Sequence, residues 1–141
     1  MKLVLDASVI AKWLFDEIES DKARALYSKA RANGVSLIAP QIMAAEIGSV
    51  LFVRVRRELL EAGEATLIYS RFWLACPVLH DISSLMPGAL RLALEHRHSV
   101  YDSLYVALAR RERCDLVTAD EKLHRAFGPA FPQVRLLRDW A

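Results

Sequence analysis

Four carboxylates stand at places in this chain where burial should discourage a charge. Asp6 directly follows the short apolar run Lys2-Leu3-Val4-Leu5. Glu46 shares a helical spacing of i, i+4, i+8, i+11 with Ile42, Val50 and Val53, which puts an acid inside an apolar stripe. Asp102 and Asp120 open two later helical stretches. Each acid has a plain structural reading: Asp6 as a helix N-cap, Glu46 at the solvated edge of its stripe, Ser99-x-x-Asp102 and Thr118-x-x-Glu121 as capping boxes. Together they point to chemistry. Two carboxylates about 5 Å apart repel by about 3 kcal/mol at an effective dielectric near 20. Such a cluster persists only with raised pKa values or divalent cations, and an all-oxygen donor set suits Mg²⁺ or Mn²⁺.

The elements that must position these acids follow from the hydrophobic pattern. Residues 2–5 read as a buried parallel strand, with helical spacing over 9–15 and 21–32, the latter stopped by Asn33-Gly34. A second strand is expected over 35–39. A helix opened by Pro40 then runs to about Arg57, and another covers 62–75. A third strand over 78–82, helices over 87–96 and 100–111, a strand over 116–118, a helix over 121–127 and a last strand over 134–137 complete the chain. Strands alternating with longer helices predict an α/β fold with helices on both faces of a central parallel sheet. In such a sheet the carboxyl ends of the strands share one edge, so Asp6 and Asp120 can converge there. Residues 1–141 read as one domain, without repeats or linkers.

Composition excludes several classes. A chain that is 54% hydrophobic and 26% charged has the material for a core and is not disordered. A net charge of +2 excludes an indiscriminately basic protein. Setting the four acids aside leaves 13 acidic against 19 basic residues, a surplus of six, so a site charge of −4 would sit in a basic frame. Cys76 and Cys114 form neither a disulfide framework nor a zinc motif, and Asp6 interrupts any signal-peptide core. The window from Val35 to Val53 contains Pro40, Gln41 and Glu46, which argues against a spanning helix. A cytoplasmic protein with no membrane association is the expectation.

Four fragments, in order, resemble the PIN-domain ribonucleases of the VapC toxin type. They are Val4-Leu5-Asp6-Ala7-Ser8; Ala39-Pro40 followed by Glu46 and Val50-Leu51; Tyr101 to Ala109; and Leu116-Val117-Thr118-Ala119-Asp120. The resemblance covers nearly the whole chain. It implies a three-layer α/β/α PIN-like domain and an acidic catalytic quartet of Asp6, Glu46, Asp102 and Asp120. Asp6 and Asp102 would be the principal ligands of Mg²⁺ (or Mn²⁺), and Ser8 and Thr118 would orient ligands. It also implies hydrolysis of RNA phosphodiester bonds, a cognate small antitoxin that covers the pocket, and a homodimer. Ser49 departs from the pattern, where many relatives carry Asn.

A phosphatase or phosphotransferase with an Asp nucleophile wants a second acid two residues on, where Ser8 stands, and offers only Lys122 as a nearby lysine. A phospho-accepting receiver wants adjacent acids, which Asp6-Ala7 does not supply. A housekeeping PIN-type nuclease and a non-catalytic PIN-like module also stay open, although no acid of the quartet is missing. Arg54, Arg56 and Arg57 and then Arg110, Arg111 and Arg113 end two helices, as cations that suit helix C-termini or as phosphate contacts. His96 and His98 are expected to be solvated loop residues without a metal role. Phe52, Tyr69 and Trp73 are expected in the core.

Overall fold

The computed structural model describes residues 1–140. Five strands form one parallel sheet: β1 (Lys2–Leu5), β2 (Ser36–Pro40), β3 (Val78–His80), β4 (Asp115–Thr118) and β5 (Val134–Leu136). Their spatial order is β3-β2-β1-β4-β5. Helices α1 (Ala7–Leu14), α2 (Ser20–Ala32), α3 (Met43–Arg56) and α4 (Ala62–Ala75) connect β1 to β2 to β3. Helices α5 (Met86–His96) and α6 (Val100–Glu112) return the chain to β4, and α7 (Glu121–Phe127) leads to β5. A parallel crossover is right-handed, so reversing the direction of winding puts the second helix set on the opposite face. The three-layer α/β/α expectation holds.

The strands are apolar on both sides because both faces are covered. Leu3, Val4, Leu5, Ile38, Ala39, Leu116 and Val117 are all buried, and Phe72, Tyr105 and Phe127 fill the largest spaces around them. The winding reverses between β1 and β4, which opens a crevice beyond the carboxyl ends of those two strands. Asp6 and Asp120 lie on that rim.

Element boundaries agree within a few residues, with one informative exception. Pro40 ends β2 instead of opening α3, pairing with His80 of β3, and the next amide, Gln41 N, donates to the His80 carbonyl (2.8 Å). Proline is tolerated at a strand end because only one ladder donor is lost. The apolar stripe of α3 is also reassigned. Met43, Ile47 and Leu51 form its buried face, while Ile42, Glu46 and Val50 turn to the crevice and Val53 is exposed. Phe52 and Trp73, expected in the core, are 60% and 50% exposed. Tyr69 is half-buried, donating to the Ala44 carbonyl at 2.7 Å and stacking on Phe72. A helix that must line a cleft and cover a sheet has a narrower core face than its apolar count suggests.

Candidate metal centre

All four acids reach one cleft of about 550 Å³, lined also by Ser8, Ala11, Ile42, Ser49, Val50 and Tyr101. The four arrive from four elements. Asp6 sits at the β1–α1 junction and Asp120 follows β4, while Glu46 and Asp102 occupy the first turns of α3 and α6. Short strands ending on one edge, each followed by a helix, bring residues 114 positions apart in sequence to the same rim.

Asp6 is buried, with 4% of its surface exposed. Its backbone takes the N-cap position of α1, yet its side chain does not cap the helix. Instead Oδ2 accepts from Ser8 Oγ (2.6 Å) and Thr118 Oγ1 (2.8 Å). Each hydroxyl has a single proton and spends it on Asp6, so each can only accept elsewhere. Ser8 Oγ accepts from Ala119 N (3.0 Å), and Thr118 Oγ1 from Asp120 N (3.0 Å). The Ser8 and Thr118 oxygens stand 3.4 Å apart, and with both protons spent this is a contact without a hydrogen bond. The two hydroxyls therefore tie β1 to the β4–α7 turn through the Asp6 carboxylate. Burial nevertheless pushes Asp6 up to about 6, the two hydroxyl bonds opposing it and the charges of Asp102 and Asp120 adding to it.

Glu46 is half-buried, and its Oε1 accepts from Tyr105 Oη at 2.7 Å. Burial raises Glu46 to about 7 against that bond, with further repulsion from Asp6 and Asp102. Tyr105 itself is fully buried, and burial followed by the same acidic charges holds its phenol far above the usual range. Asp120 does cap α7, its Oδ1 accepting from Lys122 N (2.8 Å) and Leu123 N (3.4 Å). The expected Thr118–Glu121 box is thus replaced by an Asp120 cap, because Thr118 Oγ1 is already committed. Ser99 caps α6 through Asp102 N (3.1 Å), while the Asp102 side chain meets His98 Nε2 at 2.7 Å.

His98 and Tyr105 are the cleft partners that motif reading misses. The expectation of solvated loop histidines is overturned: His98 holds Asp102, and His96 Nδ1 stands 3.1 Å from the Ala126 carbonyl. The one signal for His98 is its i, i+4 spacing to Asp102, which the intervening cap residue Ser99 obscures. The arginine clusters do not reach the cleft. Arg54 lies eight residues beyond Glu46 and Arg110 eight beyond Asp102, about 12 Å along each helix axis. There Arg54 packs over Phe15 at 3.6 Å and bonds Glu17 (3.4 Å), Arg110 packs over Phe131, and Arg111 bonds Ser84 (3.1 Å).

Among the described residues no three His, Cys, Asp or Glu side chains already form a closed ligand set. Each carboxylate is turned to a protein donor. The donor set nonetheless fits a hard cation of the Mg²⁺ kind, which takes one or two carboxylates and keeps several waters.

The fold of this chain is shared with known proteins. The PIN-domain family model matches residues 3–128, and the chain belongs to that family. Within it the chain is a VapC-like ribonuclease homologue: Ribonuclease VapC3 of Pyrobaculum aerophilum is 35% identical over 129 residues, covering 90% of this chain and 95% of that protein. The crystal structure of PAE2754 from the same organism shares the fold, with a TM-score of 0.71 at 19% identity over 98% of this chain and 85% of that one. VapBC2 of Rickettsia felis, solved with a DNA fragment from its promoter, does so with a TM-score of 0.65 at 18% identity over 96% and 97%.

Proposed function

We propose that this chain is a Mg²⁺- or Mn²⁺-dependent ribonuclease toxin that hydrolyses RNA phosphodiester bonds in the acidic cleft. The observation that carries metal dependence is the lining: four carboxylates and, among the described residues, no Lys, Arg or His. A phosphate entering such a cleft meets only like charge, so a cation must accompany it. Asp6 and Asp102 are assigned as its principal ligands, with Glu46 and Asp120 completing the shell directly or through water.

When bound, a divalent cation acidifies water and offsets phosphate charge. The chain's own residues set the geometry around it. Ser8 and Thr118 fix the plane of the Asp6 carboxylate by holding Oδ2, and Tyr105 fixes Glu46 by holding Oε1. In the net reaction a water oxygen bonds to phosphorus, the bond from phosphorus to one ribose oxygen breaks, and that oxygen takes a proton. Glu46, raised to about 7, and Asp6, raised to about 6, retain protons in mildly acidic solution and yield them as the cation binds.

A cognate small antitoxin that covers this cleft, and a homodimer, complete the proposal. Exposed Phe52, Leu67, Trp73 and Leu74 on α3 and α4, with Leu90 and Leu94 on α5, supply apolar surface for such contacts. A cytoplasmic site is proposed with them. Among the described residues no helix is long and apolar enough to cross a membrane, and Cys76 and Cys114 are free thiols. The test is RNA cleavage with Mg²⁺, Mn²⁺ or chelator, comparing wild type with Asp102→Asn. Cleavage by the wild type alone, only with metal, is expected; equal cleavage by both proteins, or cleavage in chelator, would refute the mechanism.

A further inference from the structure

His98 lies outside the acidic quartet and outside the cleft lining, yet the fold holds its ring in place from several sides. Arg97 adopts a left-handed conformation (φ 52°) that ends α5, and His98 N then donates to the Ala93 carbonyl at 3.1 Å. The His98 ring meets Phe127 edge-on, with centroids 5.5 Å apart, and Phe127 is fully buried at the end of α7. Next to it His96 packs on the same phenyl ring at 4.9 Å and reaches the Ala126 carbonyl. The α5–α6 turn is thereby clamped to α7, the helix that Asp120 caps. Out of this clamp His98 Nε2 meets Asp102 Oδ2 at 2.7 Å. An ionised carboxylate can only accept, so Nε2 carries the proton whatever the charge of the ring.

We propose that His98 is a positioning residue: its Nε2–H holds Asp102 Oδ2, fixing the carboxylate so that Oδ1 is the oxygen presented to a divalent cation. Resting on the metal-site reading above, this adds a specific donor to it. Asp6 is held through Oδ2 by two hydroxyls, Glu46 through Oε1 by a phenol and Asp102 through Oδ2 by an imidazole. Three of the four acids, all lining the cleft, thus have one oxygen occupied by a side-chain donor. A donor behind a ligand lowers the cost of organising it, and losing one typically weakens metal affinity about 10- to 100-fold. The ring also couples α6 to α7, so Asp102 and Asp120 keep a fixed relative position.

Two variants separate the hydrogen bond from the packing. His98→Leu keeps an apolar contact with Phe127 and removes the donor, whereas His98→Gln places an amide N–H near the Nε2 position and removes the ring. Calorimetric titration of the full chain with Mn²⁺ reads affinity without catalysis. Affinity about tenfold or more weaker for His98→Leu is expected, with His98→Gln within about threefold of wild type. Wild-type affinity in His98→Leu would overturn the inference, as would equal weakening in both variants, which would make packing the device. A wild type that binds no Mn²⁺ would instead refute the metal site itself, so the two failures are distinguishable.

Discussion

Asp6 is costly to the fold, and replacing it by asparagine tests how much. The unfolded chain releases the Asp6 proton near the ordinary 3.8, whereas the folded chain holds it to about 6. Between those values the native state binds more protons than the unfolded state, so stability falls as pH rises through the window and levels off above it. At roughly 1.4 kcal/mol per tenfold, the full loss at pH 8 is about 3 kcal/mol, and about half of it is incurred by pH 5. The amide of Asp6→Asn does not ionise, and its oxygen can still accept from Ser8 and Thr118, so the variant should escape this decline. At roughly 2–4 °C per kcal/mol for a domain of this size, the melting temperature of Asp6→Asn relative to wild type should rise by about 6–12 °C from pH 3.5 to pH 8. The measurement is thermal unfolding of both proteins in chelator across that range. A difference that stays constant with pH, or one that shrinks toward pH 8, would refute a buried, destabilising carboxylate at this position.

Other outcomes follow from the same geometry. Metal binding should strengthen from pH 5 to pH 8, since Asp6 and Glu46 must lose protons to ligate; calorimetry in buffers of different ionisation enthalpy should show proton release near pH 6, and equal heats would contradict it. Tyr105→Phe removes a side-chain donor to Glu46 and should cost about 1–3 kcal/mol in denaturant unfolding, with an unchanged midpoint contradicting the Tyr105–Glu46 bond. Because Arg110 and Arg113 lie about 12–16 Å along α6 from Asp102, their alanine variants should cleave an RNA of a few nucleotides with kcat/KM within about twofold of wild type. A tenfold loss would place them at the substrate.

Much of the fold was legible because its signals are local. A short strand whose apolar residues run directly into an acid, such as Leu3–Leu5 before Asp6, needs no long-range information to read as a buried strand followed by a rim residue. The Ser99 cap and the Asn33-Gly34 stop are likewise decided by neighbouring residues. Pro40 was less legible, since a proline suits both a helix start and a strand end, and only pairing with His80 distinguishes them. The α3 stripe was legible as a face but not as to its partner. Periodicity gives the angle between Glu46 and Met43, while the rotation of the helix against the sheet is set by everything packed around it.

The sequence by itself determined the four acids, the placement of Asp6 and Asp120 at strand ends, of Glu46 within a helix and of Asp102 in a first helical turn, and the family to which the chain belongs. These are properties of residue type and short spacing, which periodicity and capping rules read directly. Only the tertiary structure decided what surrounds each carboxylate: that Asp6 is bound by Ser8 and Thr118 and does not cap α1, that Tyr105 lies behind Glu46, and that His98 lies behind Asp102. It also decided that the arginines stand away from the cleft. The physical reason is that hydrogen bonds and burial depend on distances of a few ångströms between segments remote in sequence. Ser8 and Thr118, 110 positions apart, meet at one oxygen only after β1 and β4 pair.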